Sequence, residues 1–192
     1  MFSELHGRFY EQAYRGNLFS TGTTGLVALS ANTITLTATT TPILGIYNPL
    51  GSNVNVVLLQ AALGAGINAA AATGPGSFVW ATSSQNVGLT LGATPVSRLI
   101  GGPASKAKGL AGVALTGLTN SLVIAHSADI PSPTIITTAA VSTGIQTPSV
   151  YGLENEDGAF VIPPGGILAL LNTVSTTTIS VHGRLLWEEV PV

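Results

Sequence analysis

Residues 177–187 read TTISVHGRLLW, and their polarity alternates with a period of two. Apolar side chains occupy one side of such an extended segment: Ile179, Val181, Leu185 and Trp187. Polar side chains occupy the other side: Thr178, Ser180, His182, Arg184 and Glu188. Only Gly183 interrupts the apolar side, which indicates a bulge or a close approach of another backbone segment. The period predicts a half-buried β-strand.

Strand patterns recur along the chain, separated by turn residues. We predict strands at residues 33–39, 42–47, 54–62, 77–82, 110–118, 122–128, 134–141, 159–162 and 167–171. Residues 54–62 are apolar on both faces, which predicts a strand covered from two sides. So many short strands, with no helix beyond the N-terminal segment, predict an all-β antiparallel sandwich. Among sandwiches we favour a jelly roll, because its paired sheets limit the number of exposed edges.

Residues 1–20 form a predicted arm ahead of a sandwich domain at residues 21–192. The first fifteen residues hold two charged pairs at i,i+4 spacing, Glu4–Arg8 and Glu11–Arg15. A helix that ends at Gly16 and an extended arm are both open, because Gly7 weakens a helix. In either form the large side chains of the arm need a surface to pack against. These are the predicted partner-binding residues: Phe2, Leu5, Phe9, Tyr10 and Tyr14.

Charge is scarce throughout the chain. Residues 16–97 contain no Asp, Glu, Lys, Arg or His, and only 7% of the 192 residues are charged, against roughly 25% in average domains. A surface with so little charge predicts association with like subunits or with a larger particle. The net charge of −2 provides no excess of positive charge for binding the phosphate backbone of nucleic acid. The start of the chain has no signal-peptide pattern, and polar residues interrupt its most apolar window, so we predict no membrane span.

Catalytic and cofactor motifs are not evident, and we predict no enzyme, no cofactor and no metal site. His6 lies in the arm, and His182 lies on the polar face of the last strand. A catalytic triad of Ser127, His126 and Asp129 is not supported, because side chains so close in sequence point in different directions on a strand and no Gly-x-Ser-x-Gly motif is present. Residues 154–158, ENEDG, are predicted as a hydrated hairpin tip, although their carboxylates leave a cation site open. Residues 101–109, GGPASKAKG, fail the spacing of a phosphate-binding loop and are predicted as a surface loop.

The combination of features is more informative than any single motif. A cysteine-free β-domain follows the aromatic arm HGRFYEQAYRGNLF at residues 6–19 and closes with GRLLWEE at residues 183–189. The chain resembles the jelly-roll decoration, or cement, proteins of tailed-bacteriophage capsids. The resemblance implies a homotrimer on the exterior of the virion capsid, assembled in the host cytoplasm and bound where major capsid subunits meet. It implies no catalytic residues.

Two other functions are weighed against this one. A trimeric receptor- or glycan-binding domain of a phage tail fibre or spike needs exposed aromatic and acidic residues in a groove, and residues 151–157 are its candidate. A hydrolase on a β-sandwich is disfavoured, because no paired carboxylates share an apolar setting.

Overall fold

The computed structural model describes residues 7, 9–25, 27–29, 37–67, 77–89, 93–120, 123–127, 150–173 and 176–192. Within these ranges the chain forms one short helix, α1 (Tyr10–Tyr14), and eleven strands. The strands are β1 (Leu18–Gly22), β2 (Val27–Leu29), β3 (Leu44–Tyr47), β4 (Val54–Ile67), β5 (Phe78–Ser83), β6 (Val96–Ser97), β7 (Lys108–Ala111), β8 (Val123–Ser127), β9 (Val150–Ile162), β10 (Ile167–Asn172) and β11 (Thr176–Pro191).

The strands form two antiparallel sheets that pack as a sandwich. The first sheet, sheet A, has the order β6-β1-β11-β4-β9, and β2 also pairs with β11. The second, sheet B, has the order β7-β3-β10-β5-β8. Eight strands pair in nested fashion: β1 with β11, β3 with β10, β4 with β9, and β5 with β8. This nesting confirms the predicted jelly-roll-like sandwich.

The alternation of the last strand sets which side chains enter the core. Val181, Leu185 and Trp187 of β11 are fully buried, whereas His182 and Arg184 are exposed, as the period of two predicts. Gly183 marks a close approach rather than a bulge, because a Cβ there would lie 2.6 Å from the carbonyl oxygen of Ala62. The register shift of β11 against β4 falls later, between Leu186 and Trp187.

The main core fills the space between the sheets. Trp187 lies against the ring of Phe19 at a centroid distance of 6.5 Å, and Trp80 lies 5.8 Å from Phe160. The other large members of this core come from both sheets: Leu44, Ile46, Val56, Leu58, Leu63, Leu168 and Leu170. Burial of this apolar surface is the main favourable contribution to folding.

A second cluster covers the outer face of sheet B. Strand residues of that face pack against apolar residues from the segments 85–89 and 113–120: Tyr47, Val79, Ala81, Leu110, Ile167, Ala169 and Leu171 from the strands, and Leu89, Leu115 and Leu118 from the segments. Every residue of β10 is therefore buried, on both faces. The chain's own segments thus account for part of the uncharged sequence at residues 16–97.

Several predicted strands need correction. Residues 54–62 are not covered equally on both sides, because Val54, Val56 and Leu58 are buried while Val57 and Leu59 are only half-buried. The doubly covered strand is β10. The strand predicted at residues 110–118 ends at Ala111, because the residues after it cross the outer face of sheet B. Residues 37–40 form a turn, and residues 134–141 lie outside the described part of the chain.

Residues 154–158 also differ from the prediction, since they belong to strand β9 and are not the tip of a hairpin. Gln60 pairs with Asn155 and Leu58 pairs with Phe160, so residues 156–159 bulge out opposite a single residue of β4. Asp157 and Gly158 both adopt positive φ in this bulge. The predicted Asp-Gly turn is therefore present within a strand.

Candidate partner-binding surface

Helix α1 begins after Phe9 and ends in a glycine cap. Gly16 has a φ of 74°, its N–H donates to the carbonyl of Ala13, and the N–H of Asn17 donates to the carbonyl of Gln12. These two bonds form a Schellman motif, which confirms Gly16 as the residue that ends the helix. The predicted pair Glu11–Arg15 is present as an exposed ion pair, and Glu4 and Arg8 lie outside the described residues. The chain enters β1 at Leu18, within the predicted arm.

The predicted arm residues fall into three groups. Phe2 and Leu5 lie outside the described residues. Phe9 is half-buried. Tyr10 and Tyr14 are 47% and 70% exposed, and their rings stack at a centroid distance of 6.0 Å and an interplanar angle of 14°. No residue of α1 is buried. The helix therefore presents two aromatic rings to the surroundings of the protein.

Three further apolar residues are exposed beside β1, and the sequence does not predict their exposure. Val96 in β6 is 65% exposed, Leu99 is exposed, and Ile100 is completely exposed. Leu99 lies near the end of α1, because a Cβ on Gly16 would come within 3.7 Å of it, and Val96 and Ile100 are its near neighbours in the chain. We call Tyr10, Tyr14, Val96, Leu99 and Ile100 the α1 patch. The signal in the sequence was the pair Leu99-Ile100 in a segment otherwise rich in turn residues, where an apolar pair has no strand to belong to.

A groove of about 430 Å³ lies between α1 and the outer face of sheet A. Its lining is Gly7, Phe9, Tyr10, Ala13, Leu18, Gln60, Arg98, Arg184 and Leu186. Leu18 and Leu186 are nearly fully buried. Arg98 and Arg184 are exposed, and neither forms an ion pair with a described acidic side chain.

Beside the groove, the pKa of the Glu188 carboxyl is shifted by its surroundings. Burial raises the pKa of the Glu188 carboxyl above its ordinary value of 4.5, and the positive charge of Arg15 opposes this rise. Because the pKa is higher in the folded chain than in the unfolded one, ionised Glu188 lowers stability at neutral pH. That loss is relieved as the pH falls through the folded-state pKa towards 4.5.

The variant Arg15→Gln is expected to raise the pKa of Glu188 further, because it removes the charge that favours the carboxylate. A ¹³C NMR titration of the Glu188 carboxyl measures this change. Glu11→Gln is the matched control: it removes the partner of Arg15 in the ion pair but keeps the Arg15 charge, so the pKa of Glu188 does not rise. An unchanged titration in Arg15→Gln contradicts the assigned role of Arg15.

The loop at residues 101–109 binds a carboxylate of its own chain, that of Glu189. Glu189 of β11 is 5% exposed, and its carboxylate accepts hydrogen bonds from the backbone N–H groups of Lys106, at 3.0 Å, and Ala107, at 3.1 Å. The hydroxyl of Ser105 donates to the same carboxylate. Successive N–H groups that converge on one anion form a nest. The sequence prediction of a surface loop missed this internal contact.

Groups capable of catalysis do not converge within the described residues. His182 is exposed on the outer face of sheet A, as predicted. His126 lies in β8 beside Trp80 of β5 in the pairing register, and His6 and Asp129 lie outside the described part of the chain. Among the residues that the structure describes, no three His, Asp or Glu side chains lie close enough together to hold a metal ion.

A second concavity of about 450 Å³ lies between β5 and β9. One wall carries hydroxyl and amide groups from Thr82, Ser83, Ser84 and Asn120, and the other carries Phe160 and Val161. This cleft contains no charged side chain among its lining residues. The strand at residues 151–157, which the sequence analysis named as a glycan candidate, does not line it.

Comparison with known proteins finds no matching family model, no significantly similar curated protein and no significant structural match. In the described part of the chain, no helix has the length and apolar character needed to cross a membrane.

Proposed function

We propose that this protein is a non-enzymatic structural subunit that decorates and stabilises a phage capsid. In this proposal it acts as a homotrimer on the exterior of the virion, bound where subunits of the phage major capsid protein meet. The observation that carries the proposal is the α1 patch, an exposed aromatic and aliphatic surface in the described part of the sandwich. Exposed apolar surface of this kind is typical of protein interaction sites.

Joining several copies would raise the affinity with which such a surface attaches. A single α1 patch is small, and small interfaces bind weakly. When three copies are joined, the second and third contacts become effectively intramolecular, and avidity exceeds the single-site affinity by about 10²–10⁴-fold. A trimer that presents three patches therefore supports firm attachment to a shell whose subunits repeat.

Scarcity of charge favours self-association. Outside the α1 patch, residues 16–97 present neutral side chains, so subunits approach one another without the cost of removing charge from water. We propose that neutral Thr- and Ala-rich faces join the copies. Mass measurement of the purified protein in solution tests this step: a particle of three times the 19.4 kDa chain is expected, and a stable monomer at high concentration contradicts it.

Deletion of residues 2–15 is expected to abolish binding to shells while the sandwich stays folded, because no residue of α1 is buried. Co-sedimentation with empty shells, assembled from the major capsid protein of the same genome, measures the loss. The double variant Tyr10→Ser/Tyr14→Ser is expected to weaken binding in the same direction without shortening the chain. Undiminished sedimentation of the deletion variant contradicts the role of the arm.

Glycan recognition by a phage tail fibre or spike domain is the second candidate, and the cleft between β5 and β9 favours it. Sugars bind to sites that combine an aromatic ring with hydroxyl and amide groups, and Phe160, Ser83 and Asn120 line this cleft. Glycan-array binding that is lost in Asn120→Ala and kept in the deletion of residues 2–15 would favour this function over capsid decoration.

A further inference from the structure

The groove beneath α1 carries an unbalanced set of charges. Arg98 and Arg184 line it, and each guanidinium offers five hydrogen-bond donors and no acceptor. Two acidic groups that the structure describes near the groove face Arg15 instead, because Glu11 pairs with Arg15 and the charge of Arg15 also acts on Glu188. The whole chain has a net charge of −2, so this cationic site is not a general property of the surface. The groove therefore offers donors that an anionic ligand would satisfy.

The lining of the groove selects among anions. Phe9, which precedes α1, and Tyr10 and Ala13 of α1 give it a partly exposed apolar wall, whereas Leu18 of β1 and Leu186 of β11 are nearly fully buried. A free phosphate or a nucleic-acid backbone gives this surface nothing to bury. A peptide segment that combines carboxylates with apolar side chains satisfies both parts, because arginine binds carboxylates in bidentate geometry and the apolar wall of Phe9, Tyr10 and Ala13 buries aliphatic groups.

We propose that this groove is the docking site for an extended acidic segment of a protein partner, with carboxylates on Arg98 and Arg184 and an apolar side chain against Phe9, Tyr10 and Ala13. The groove volume of about 430 Å³ accommodates only a few side chains, so the recognised segment is short. This inference rests on the proposed function for the identity of the partner, which is then the major capsid protein, but the chemistry of the groove does not depend on it.

The first experiment uses a synthetic ten-residue peptide in which glutamate alternates with leucine, and a second peptide in which glutamine replaces each glutamate. Isothermal titration calorimetry of the full-length protein measures binding, and NMR shifts of the Leu18 and Leu186 methyl groups locate it. We expect the glutamate peptide to bind about tenfold more tightly or better than the glutamine peptide, since hydrogen bonds to charged groups are the stronger ones. We also expect its affinity to fall with added salt.

The double variant Arg98→Gln/Arg184→Gln is expected to reduce binding of the glutamate peptide about tenfold or more. The matched control is Lys106→Gln/Lys108→Gln, which removes the same total charge at exposed positions away from the groove, and it is expected to bind normally. Circular dichroism confirms that both variants are folded. Equal binding of the two peptides, equal loss in the two double variants, or tighter binding of a deca-thymidine oligonucleotide overturns the inference.

Shell sedimentation separates this inference from the proposed function. Peptide binding at the groove without any association with shells contradicts capsid decoration and leaves the groove assignment in place. Full association of the Arg98→Gln/Arg184→Gln variant with shells removes the groove from the interface and leaves capsid decoration in place.

Discussion

Replacing Glu189 with alanine is expected to lower the free energy of unfolding by about 2–4 kcal/mol, because hydrogen bonds to a charged group contribute about 1.5–3 kcal/mol and buried donors are costly to leave unpaired. The carboxylate of Glu189 binds the N–H groups of Lys106 and Ala107 and the hydroxyl of Ser105. The indole N–H of Trp187 also lies 3.5 Å from it. Removal of the carboxylate leaves these donors without their acceptor in the interior.

Urea unfolding followed by the fluorescence of Trp80 and Trp187, which are both fully buried, measures this loss. Glu189→Gln keeps an oxygen acceptor but removes the charge, so an intermediate loss is expected. Glu188→Gln is the matched control, because the side chain at residue 188 points to the other face of β11, away from the loop at residues 105–107. No loss of stability is expected in this variant, since the buried charge of Glu188 itself lowers stability at neutral pH. A stability of Glu189→Ala equal to that of the unsubstituted protein would show that water replaces the carboxylate without cost.

Asn86→Ala is expected to lower the free energy of unfolding by about 3 kcal/mol, because it removes several hydrogen bonds of a buried side chain that each contribute about 0.5–1.5 kcal/mol and leaves their partners unpaired. Asn86 is fully buried. Its side-chain oxygen accepts bonds from the N–H groups of Thr119, at 3.3 Å, and Asn120, at 3.1 Å, and its amide donates to the hydroxyl of Ser83 at 3.0 Å. These bonds hold the segment 113–120 against sheet B.

The same variant is expected to increase amide hydrogen exchange in residues 113–120 more than in the core strands, because the segment loses its anchor while the sandwich keeps its pairing. Mass spectrometry of exchanged peptides measures this difference. Ser84→Ala serves as the control, since Ser84 is exposed and accepts the bond from Asn86 through its backbone carbonyl alone. Amide hydrogen exchange that rises equally in all strands would mean that Asn86 stabilises the whole fold and not specifically the segment 113–120.

The sequence located the strands better than it located the covering segments. β10, β5 and β3 fall at or within a residue or two of their predicted positions. Residues 113–118 were predicted as strand because their apolar side chains resemble those of a buried strand. Leu115 and Leu118 are apolar for a different reason, since they cover the outer face of sheet B from an irregular segment. Composition alone does not separate these two origins of an apolar run.

For the candidate surface, too, only the local features could be predicted from the sequence. The large side chains of the arm and the cap at Gly16 are among them, because a helix end and an i,i+4 charged pair depend only on near neighbours. The exposure of Ile100 and the two groove arginines could not be predicted in this way. Arg98 and Arg184 are 86 residues apart in the chain and line the same groove because β1 lies between β6 and β11.

By itself the sequence determined the extended conformation of β11 and the all-β class, and it marked Gly16 as the residue at which a helix in the arm would end, because alternation and glycine placement act through local sterics. Tertiary structure alone decided that Glu189 would bind the loop at residues 105–107 and that Arg98 would face the same groove as Arg184. It also decided which apolar segments would cover sheet B. Those outcomes depend on the nested pairing of strands distant in sequence, and the free energy of such pairing belongs to the assembled sandwich and to no single segment.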